Sequence, residues 1–253
     1  MSGPRRFTLT PGQVSGDRVT FDRTESHHMT AVLRLAPGDL VVAADGLGQD
    51  YTVRLEAVGE VAVGTILRVA TSTREPPLTI TLVQGIPKGD RMEAIVRAAT
   101  ELGVHRVLPA ITERTIMRLE PSRWRDRARR WQRVAKEASK QCGRAVIPEV
   151  EYPRRLDEWL EPPTGSADLR LCLWEGQAPP LADLCNGLTR TPAVAFVLVG
   201  PEGGLTREEV DRSRARGWSP ASLGPRILRT ETAGPAVIAI LQFRFGDLGA
   251  NRP

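Results

Sequence analysis

From residue 78 onward the sequence alternates short apolar runs with amphipathic stretches, and this alternation constrains the fold more than any other feature. The apolar runs have strand length and lie at residues 78–83, 104–110, 169–173 and 193–199. Helical periodicity marks residues 90–102, 122–141, 206–216 and 236–245. Strands that alternate with helices predict an α/β fold with a mostly parallel sheet covered by helices.

The region before residue 72 has a different pattern, made of β-prone runs separated by Pro-Gly, Ser-Gly-Asp and Asp-Gly turn signals. The runs lie at residues 6–10, 18–21, 40–44, 51–55 and 61–69. Many short strands at this spacing predict a small barrel. Between them SHHMTAVLRL predicts one helix, capped by Ser26 and stopped by Pro37-Gly38. Because TSTREPPLT (71–79) has the composition of an extended linker, we expect two domains, 1–72 and 73–253.

The positive charge is concentrated in one segment. The chain of 253 residues has a net charge of +5, and residues 121–144 carry nine Lys or Arg against two acidic residues. That segment predicts a surface facing a polyanion, although a solvated helix face explains it equally well. Three- and four-residue spacing predicts that this helix buries Trp124, Ala128, Trp131, Ala135 and Ala138. The tryptophans are therefore interpreted as core anchors rather than base-stacking platforms.

Neither metal binding nor secretion is indicated. Cys142, Cys172 and Cys185 form no CxxC pair, and their odd number argues against a disulfide framework. His27 and His28 have no partner at metal-ligand spacing, so we predict no metal and a structural or RNA-facing role for both. The sequence has no apolar run of membrane-spanning length, and MSGPRRFTLTPGQ lacks an apolar signal core. These features predict a cytoplasmic protein.

A glycine-rich turn, VGPEGGLT (199–206), follows the apolar run 193–199. It is neither GxGxxG nor GxxxxGK[ST], and Glu202 would repel a phosphate, so a cationic or neutral ligand is favoured. The alternative is a tight turn in which Glu202 accepts backbone N–H groups, ahead of a helix capped by Thr206 and Glu209. A second Gly-Pro turn lies in SLGPRILRTETA (222–233). Two such loops at the ends of neighbouring parallel strands would form a ligand-binding crevice.

Several motifs occur together and in a fixed order: RRF, HHMTAVLRLAPGD, KGDRMEAIVRAATELGV, RWQRVAKEASKQCGR, GPEGGLTREEV and LGPRILRTETA. Taken together, the sequence resembles the bacterial 16S rRNA (uridine-N3) methyltransferases, SPOUT-class enzymes that use S-adenosyl-L-methionine. The resemblance covers nearly the whole chain. It implies a SPOUT-type trefoil-knotted parallel sheet domain, with the knot near 198–235, preceded by a small PUA-like β-barrel domain. It also implies a homodimer whose substrate is 16S rRNA of the small ribosomal subunit.

The resemblance further implies which residues act. The cofactor-binding residues would be Leu198, Val199, Gly200, Pro201, Glu202, Gly203, Leu223, Gly224, Ile227, Leu228, Arg229, Thr232 and Ala233. Arg229 and Glu231 are the candidate catalytic pair, because a cation stabilises the uracilate anion and a carboxylate accepts the N3 proton. Alternatively, these two residues pair with one another or cap the last helix. RNA contacts are predicted for Arg5, Arg6, Arg34, Arg123, Arg127, Arg130, Lys140, Gln141 and Arg144.

One departure and three alternatives accompany the resemblance. Gly234-Pro235 stands where relatives continue with helix formers, so we expect the final helix to begin near Thr232 rather than Thr230. A non-catalytic RNA-binding dimer would bind no S-adenosylmethionine. A SPOUT methyltransferase acting on tRNA would use similar chemistry. A dinucleotide-dependent oxidoreductase is disfavoured because the glycine fingerprint is missing.

Overall fold

The structure is a computed structural model that describes residues 5–10, 12–117, 119–161 and 167–249. Contacts divide the chain into two units. The first unit contains Met1–Glu75 and Ser139–Ile147, and the second contains Pro76–Ala138 and Pro148–Pro253. The domain boundary between residues 72 and 73 stays a prediction, and the sequence did not indicate that residues 139–147 group with the first unit.

The first unit is built on a six-stranded sheet. Its strands are β1 Arg5–Thr8, β2 Val14–Ser15, β3 Arg18–Thr20, β4 Leu40–Ala44, β5 Gln49–Ala57 and β6 Val63–Thr71. The strand order is β1-β4-β5-β6-β3-β2, in which β1 and β4 run parallel and the other neighbours antiparallel. Alternate residues face inward, and the buried core includes Phe7, Phe21, Met29, Val41 and Leu55. All five predicted β runs are present as strands.

The helix of this unit begins earlier than predicted. Helix α1 spans Arg23–His27, and Asp22 caps it by accepting a hydrogen bond from the Glu25 N–H at 2.8 Å. The predicted Ser26 cap is wrong, because the Ser26 hydroxyl lies inside the helix and accepts the Ala62 N–H at 2.8 Å. The chain then widens into a π-helix, His28–Val32. Arg34 follows with a φ of 53°, a left-handed backbone conformation that residues other than glycine seldom adopt.

The second unit contains a seven-stranded sheet, and its described strand pairs are all parallel where a mostly parallel sheet was predicted. Its strands are β7 Thr79–Gly85, β8 Val104–Ile111, β9 Glu149–Val150, β10 Arg154–Arg155, β11 Leu169–Leu173, β12 Val194–Val199 and β13 Ser219–Ala221. The main order is β10-β8-β7-β12-β11-β13, and β9 also pairs with β8. The central strands are buried on both faces, which explains their continuous apolar sequence.

In the described residues from 76 onward, six helices are interspersed with these strands along the sequence. They are α2 Arg91–Glu101, α3 Pro121–Cys142, α4 Leu156–Leu160, α5 Leu181–Asn186, α6 Arg207–Ala215 and α7 Thr230–Phe245. The predicted buried stripe of α3 is confirmed at Trp124, Trp131, Ala135 and Ala138, while Ala128 is half-buried. No helix within the described ranges is both long and apolar enough to cross a membrane.

Helix α7 contains Pro235 and still begins at Thr230. The expected start near Thr232 is therefore wrong. The Arg229 carbonyl already accepts the N–H groups of Thr232 and Ala233, both at 2.8 Å. Proline lacks the N–H that would bond to the carbonyl four residues earlier, so Pro235 removes one helical bond without ending the helix.

Candidate functional site

A cleft lies at the carboxyl ends of β11, β12 and β13 in the second unit. Because these strands are parallel, their carboxyl ends meet at one edge of the sheet. The cleft has a volume of about 160 Å³ and opens to solvent, and it is concave with both polar and apolar lining residues, as small-molecule sites are. Both loops singled out in the sequence contribute to its walls.

Most of the predicted cofactor residues line this cleft. They are Val199, Gly200, Pro201, Glu202, Leu223, Gly224, Ile227, Leu228 and Ala233. Leu198, Gly203, Arg229 and Thr232 are outside the lining. Sequence reasoning missed Leu173, Trp174, Glu175, Gly204, Ala221, Ser222, Pro225, Arg226 and Thr230. A usable signal existed for the first three, since they end or follow the predicted strand 169–173.

The glycine-rich turn is bare because it folds closely on itself. A Cβ added to Gly200 would lie 2.7 Å from the carbonyl carbon of Gly204, closer than real Cβ atoms approach. Gly204 itself has a φ of +70°. The Gly200 carbonyl accepts the Thr230 hydroxyl at 2.7 Å, and the buried Gln84 amide donates to Thr230 Oγ1 at 2.9 Å. Hydrogen bonds from Thr230, at the start of α7, and from Gln84, in β7, thus hold the turn in place.

Two further contacts hold the rest of this turn. The Arg114 guanidinium donates to the Gly203 carbonyl. The predicted capping box is confirmed, since Thr206 Oγ1 accepts the Glu209 N–H at 3.2 Å and Glu209 Oε2 accepts the Thr206 N–H at 2.9 Å. The turn therefore leads into a firmly capped α6.

Glu202 is an anion held in place by hydrogen bonds. Its Oε1 accepts the Lys88 N–H at 2.9 Å and a hydrogen bond from the Arg91 guanidinium. Burial opposes ionisation, but backbone N–H groups and the Arg91 cation outweigh it and hold the pKa of Glu202 below its ordinary value. These contacts favour an ordering role for a carboxylate that also lines the cleft.

Arg229 and Glu231 lie beside the cleft, at the start of α7. Arg229 is the exposed N-cap residue, and its side chain makes no capping hydrogen bond. Glu231 Oε1 lies 3.8 Å from Arg91 Nε. No ion pair between Arg229 and Glu231 is present in the described part of the chain, so the structure does not support the alternative that they pair with each other.

The loop around residue 224 offers unused backbone groups. Within the ranges described above, the N–H groups of Leu223, Ile227 and Leu228 have no hydrogen-bond partner. Adenine is recognised through such neutral donors and acceptors, and its flat ring suits a wall of apolar side chains and bare backbone. The carboxylates of Glu175 and Glu202 also line the cleft and would attract a sulfonium cation while repelling a phosphate. These residues fit S-adenosylmethionine.

The predicted RNA-contacting residues of the first unit fall into two groups. Arg5, Arg34 and Gln141 are exposed. Arg6 is mostly buried and paired with Asp50. Lys140 lies 2.7 Å from the buried Glu25 carboxylate and 3.3 Å from His28 Nδ1.

Arg144 is also buried, with Nη2 2.8 Å from Glu75 Oε2. For Arg6, Lys140 and Arg144 the structure thus favours a structural role over the predicted RNA contact, because a phosphate would have to displace a carboxylate from each. His28 has the structural role that was predicted as one of its two options, since its ring packs against Phe7.

The arginines of α3 also divide into two groups. Arg127 donates to the Gly89 carbonyl at 3.4 Å, and Arg130 Nε lies 2.7 Å from Glu93. Arg123 is exposed, as are Arg125, Arg129 and Arg133, which the sequence analysis did not single out. The last three recur every four residues and share one face, so they form a basic ridge, named here the α3 ridge. Among described residues no group of three or more His, Cys, Asp or Glu could hold a metal ion.

Two family models match the chain. The model described as an RNA methyltransferase domain covers residues 74–242, and an RNA methyltransferase PUA domain covers residues 21–63. The chain belongs to the RNA methyltransferase family. The resemblance identified from the motifs is therefore confirmed, and this methyltransferase combines a PUA domain with a parallel-sheet methyltransferase domain.

Individual relatives extend the match over almost the whole methyltransferase. The chain is 35% identical over 237 residues to the ribosomal RNA small subunit methyltransferase E of Synechocystis, covering 92% of this chain and 76% of the relative. It is similar to the crystal structure of the corresponding enzyme of Neisseria gonorrhoeae bound to S-adenosyl methionine, with a TM-score of 0.86 and 35% identity over 96% and 99% of the two chains. A Legionella pneumophila methyltransferase structure in complex with SAM has a TM-score of 0.86 and 31% identity over 96% and 99% of the chains.

Proposed function

We propose that this chain transfers the methyl group of S-adenosyl-L-methionine to N3 of a uridine in 16S rRNA of the small ribosomal subunit. The observation that carries the proposal is the cleft formed by the 199–204 turn and the 222–228 loop, with its unused backbone donors and its carboxylates. The names of the Synechocystis and Neisseria relatives support the RNA substrate, and the bound S-adenosyl methionine of the Neisseria structure supports the donor.

The residues of the cleft divide the work of holding the donor. The N–H groups of Leu223, Ile227 and Leu228 bind the adenine edge, and Val199 and Pro201 pack against the nucleoside. Glu202 orders the turn and, with Glu175, supplies negative potential for the cationic end. When bound, the cofactor would supply a methyl carbon activated by its bond to the sulfonium sulfur, and the neutral thioether would be the leaving group for an in-line nucleophile. Leu198, Gly203, Arg229 and Thr232 complete the predicted cofactor set from outside the lining.

The acceptor needs a base, because uridine N3 is a poor nucleophile while it carries its proton. We assign proton acceptance to the Glu231 carboxylate. The exposed Arg229 guanidinium donates to O2 or O4, where the negative charge accumulates when the proton leaves. The N3 lone pair would then form the new bond to the methyl carbon as the carbon–sulfur bond breaks, and S-adenosylhomocysteine would leave with that electron pair. The half-buried position of Glu231 supports these roles, as does the side chain of Arg229, for which the described part of the chain provides no ion-pair partner.

The fold details and the assembly belong to the same proposal. We assign the second unit to the SPOUT class with a trefoil knot near 198–235, the first to a PUA-like barrel, and the chain to the cytoplasm. We also propose a homodimer formed through α7. Three exposed apolar residues at its carboxyl end support this contact: Ile240, Phe243 and, just beyond the helix, Leu248.

The proposal is tested by mapping modified uridines in rRNA from a strain that lacks the protein, with and without the protein restored. We expect one N3-methyluridine in 16S rRNA that appears only when the protein is present. Calorimetry with S-adenosylmethionine separates the rival functions, because a non-catalytic RNA-binding dimer binds none of it. Methylation of tRNA instead of 16S rRNA would favour the tRNA enzyme.

A further inference from the structure

Arg91, the first residue of α2, contacts the glycine-rich turn of the cleft and the start of α7 beside it. Its Nη1 donates to Glu202 Oε1, in the glycine-rich turn. Its Nε lies 3.8 Å from Glu231 Oε1, in the first turn of α7. One guanidinium thus contacts two carboxylates, one in a turn and one in a helix, each more than 100 residues away in sequence.

The contacts use different nitrogen atoms of the same group. Arginine has five N–H donors in a rigid planar fork, so it can serve two carboxylates at once with a fixed angle between them. Lysine has one nitrogen on a flexible stem and cannot reproduce that arrangement. The Glu231 contact is an ion pair at 3.8 Å and the Glu202 contact a hydrogen bond, and arginine suits this combination better than lysine.

The two acidic residues nearest Arg91 on the chain pair with Arg130 and do not compete for the Arg91 guanidinium. Glu93, on the same helix, lies 2.7 Å from Arg130 Nε, and Asp90 lies 3.9 Å from Arg130 Nη2. On the other side, the Lys88 N–H also donates to Glu202. Among the described residues, Arg91 forms ion pairs with Glu202 and Glu231.

We propose that Arg91 is a positioning residue of the methyl-donor site, which holds the glycine-rich turn and the start of α7 at a fixed separation. This inference rests on the proposed function, since it treats the cleft as the donor site. Glu202 then stays directed along the turn, and Glu231 stays where the acceptor base would meet uridine. Removing Arg91 should therefore weaken donor binding through Glu202 and slow the transfer step through Glu231.

The effect should be moderate, because the Arg91 side chain is 45% exposed and exposed ion pairs contribute little singly. For Arg91→Gln we expect the Kd for S-adenosylmethionine to rise about threefold to tenfold. Arg91→Lys should recover part of this affinity by restoring one pair. Arg97→Gln is the matched control, because Arg97 is an exposed arginine of the same helix for which the described residues provide no ion-pair partner.

The decisive measurement is a double-mutant cycle by calorimetry on the full chain. If Arg91 acts through Glu202, then Arg91→Gln combined with Glu202→Gln should bind the donor no more weakly than Glu202→Gln alone. In turnover assays, Arg91→Gln should add little to the fall in kcat caused by Glu231→Gln.

Wild-type affinity in Arg91→Gln, or effects that add fully in both cycles, would overturn the inference. Failure of the wild-type chain to bind S-adenosylmethionine would instead overturn the proposed function. Denaturant unfolding of each variant identifies any loss of folding. If Arg91→Gln does not fold, the donor affinity of Arg91→Lys is compared with that of Arg97→Gln, and equal affinities would overturn the inference.

Discussion

At the scale of single residues, Glu202 explains why a carboxylate lies within a glycine-rich turn. The turn needs glycine at position 200 because its backbone approaches residue 204, and it needs an acceptor because the Lys88 N–H and the Arg91 guanidinium both point at it. The same charge would exclude phosphates from the cleft and tolerate a sulfonium. One side chain therefore serves both the local structure and the choice of ligand.

Replacing Glu202 should affect donor binding more than catalysis. We expect Glu202→Gln to raise the Kd for S-adenosylmethionine about threefold to tenfold, with kcat at saturating donor changed less than about twofold. Since the pKa of Glu202 is lowered in the folded chain, its contribution to stability is present at neutral pH and is lost as the pH falls through that pKa. The variant should lack this part of the acid sensitivity. A fall in kcat with an unchanged Kd would contradict the ordering role.

The glycines of the turn should differ in their tolerance of a methyl group. Gly200→Ala should lower the free energy of unfolding by about 1–3 kcal/mol, because the new Cβ meets backbone atoms that cannot move independently. Gly203→Ala is the control, since its Cβ would lie 3.2 Å from the Arg114 Cδ, on a flexible side chain. Urea unfolding measures the free energy of unfolding of both variants. Equal decreases would show that the close approach of Gly200 to Gly204 does not determine the cost of the added methyl group.

The sequence revealed the loops of the cleft but not all of its residues. The turn signals at positions 200 and 224 are local, so they could be identified directly. Glu175 follows a predicted strand, but its place in the cleft depends on β11 lying beside β12, and strand neighbours are not encoded locally. Likewise, Arg144 lies in a basic segment that suggests RNA binding. Its partner Glu75 is 69 residues away in sequence, so the ion pair could not be predicted from local sequence.

At the scale of elements, the helices show which sequence signals are decisive. Periodicity predicted the buried stripe of α3, because a regular pattern over 22 residues outweighs any single position. Cap positions were less predictable. Both Asp22 and Ser26 are good N-cap residues, and the Ala62 N–H, 36 residues away, decides between them by engaging the serine.

Pro235 should weaken α7 without ending it. We expect Pro235→Ala to raise the free energy of unfolding by about 1–3 kcal/mol, because alanine restores a helical N–H and removes a steric clash. Pro121→Ala is a suitable control, since Pro121 is the first residue of α3, where proline is well tolerated. Chemical denaturation of both variants tests this, and a loss of stability in Pro235→Ala would show that proline is needed there.

The α3 ridge should contribute more to RNA binding than Arg127 and Arg130 of the same helix, since its one ion pair, between Arg129 and Asp126 at 3.7 Å among the described residues, is highly exposed. Replacing Arg125, Arg129 and Arg133 by Gln should weaken binding to 16S rRNA and flatten the slope of log K against log salt by about two to three. Replacing Arg127 and Arg130 should change that slope by less, because these residues already contact Gly89 and Glu93. Salt titrations of RNA binding measure both, and equal slopes would assign the RNA surface elsewhere.

At the scale of the whole molecule, the apolar end of α7 makes the proposed dimer testable. Phe243 is 73% exposed, so we expect Phe243→Glu to sediment as a monomer at micromolar concentration where the wild-type chain is a dimer. Leu67→Glu, at an exposed apolar position of the first unit, should leave the dimer intact. A monomeric wild type, or a dimeric Phe243→Glu, would remove α7 from the interface.

The division of the chain at residues 139–147 has a consequence for how this architecture can be altered. The backbone passes between the two units after residues 75, 138 and 147. Within the first unit, Glu75 accepts the N–H groups of Ala145 and Val146 at 2.9 and 3.0 Å, and the Ile147 N–H donates to Gly46. A fragment cut after Glu75 would leave those acceptors bare. Grafting the amino-terminal module onto another protein, or exchanging it between relatives, therefore requires transplanting two pieces of chain together.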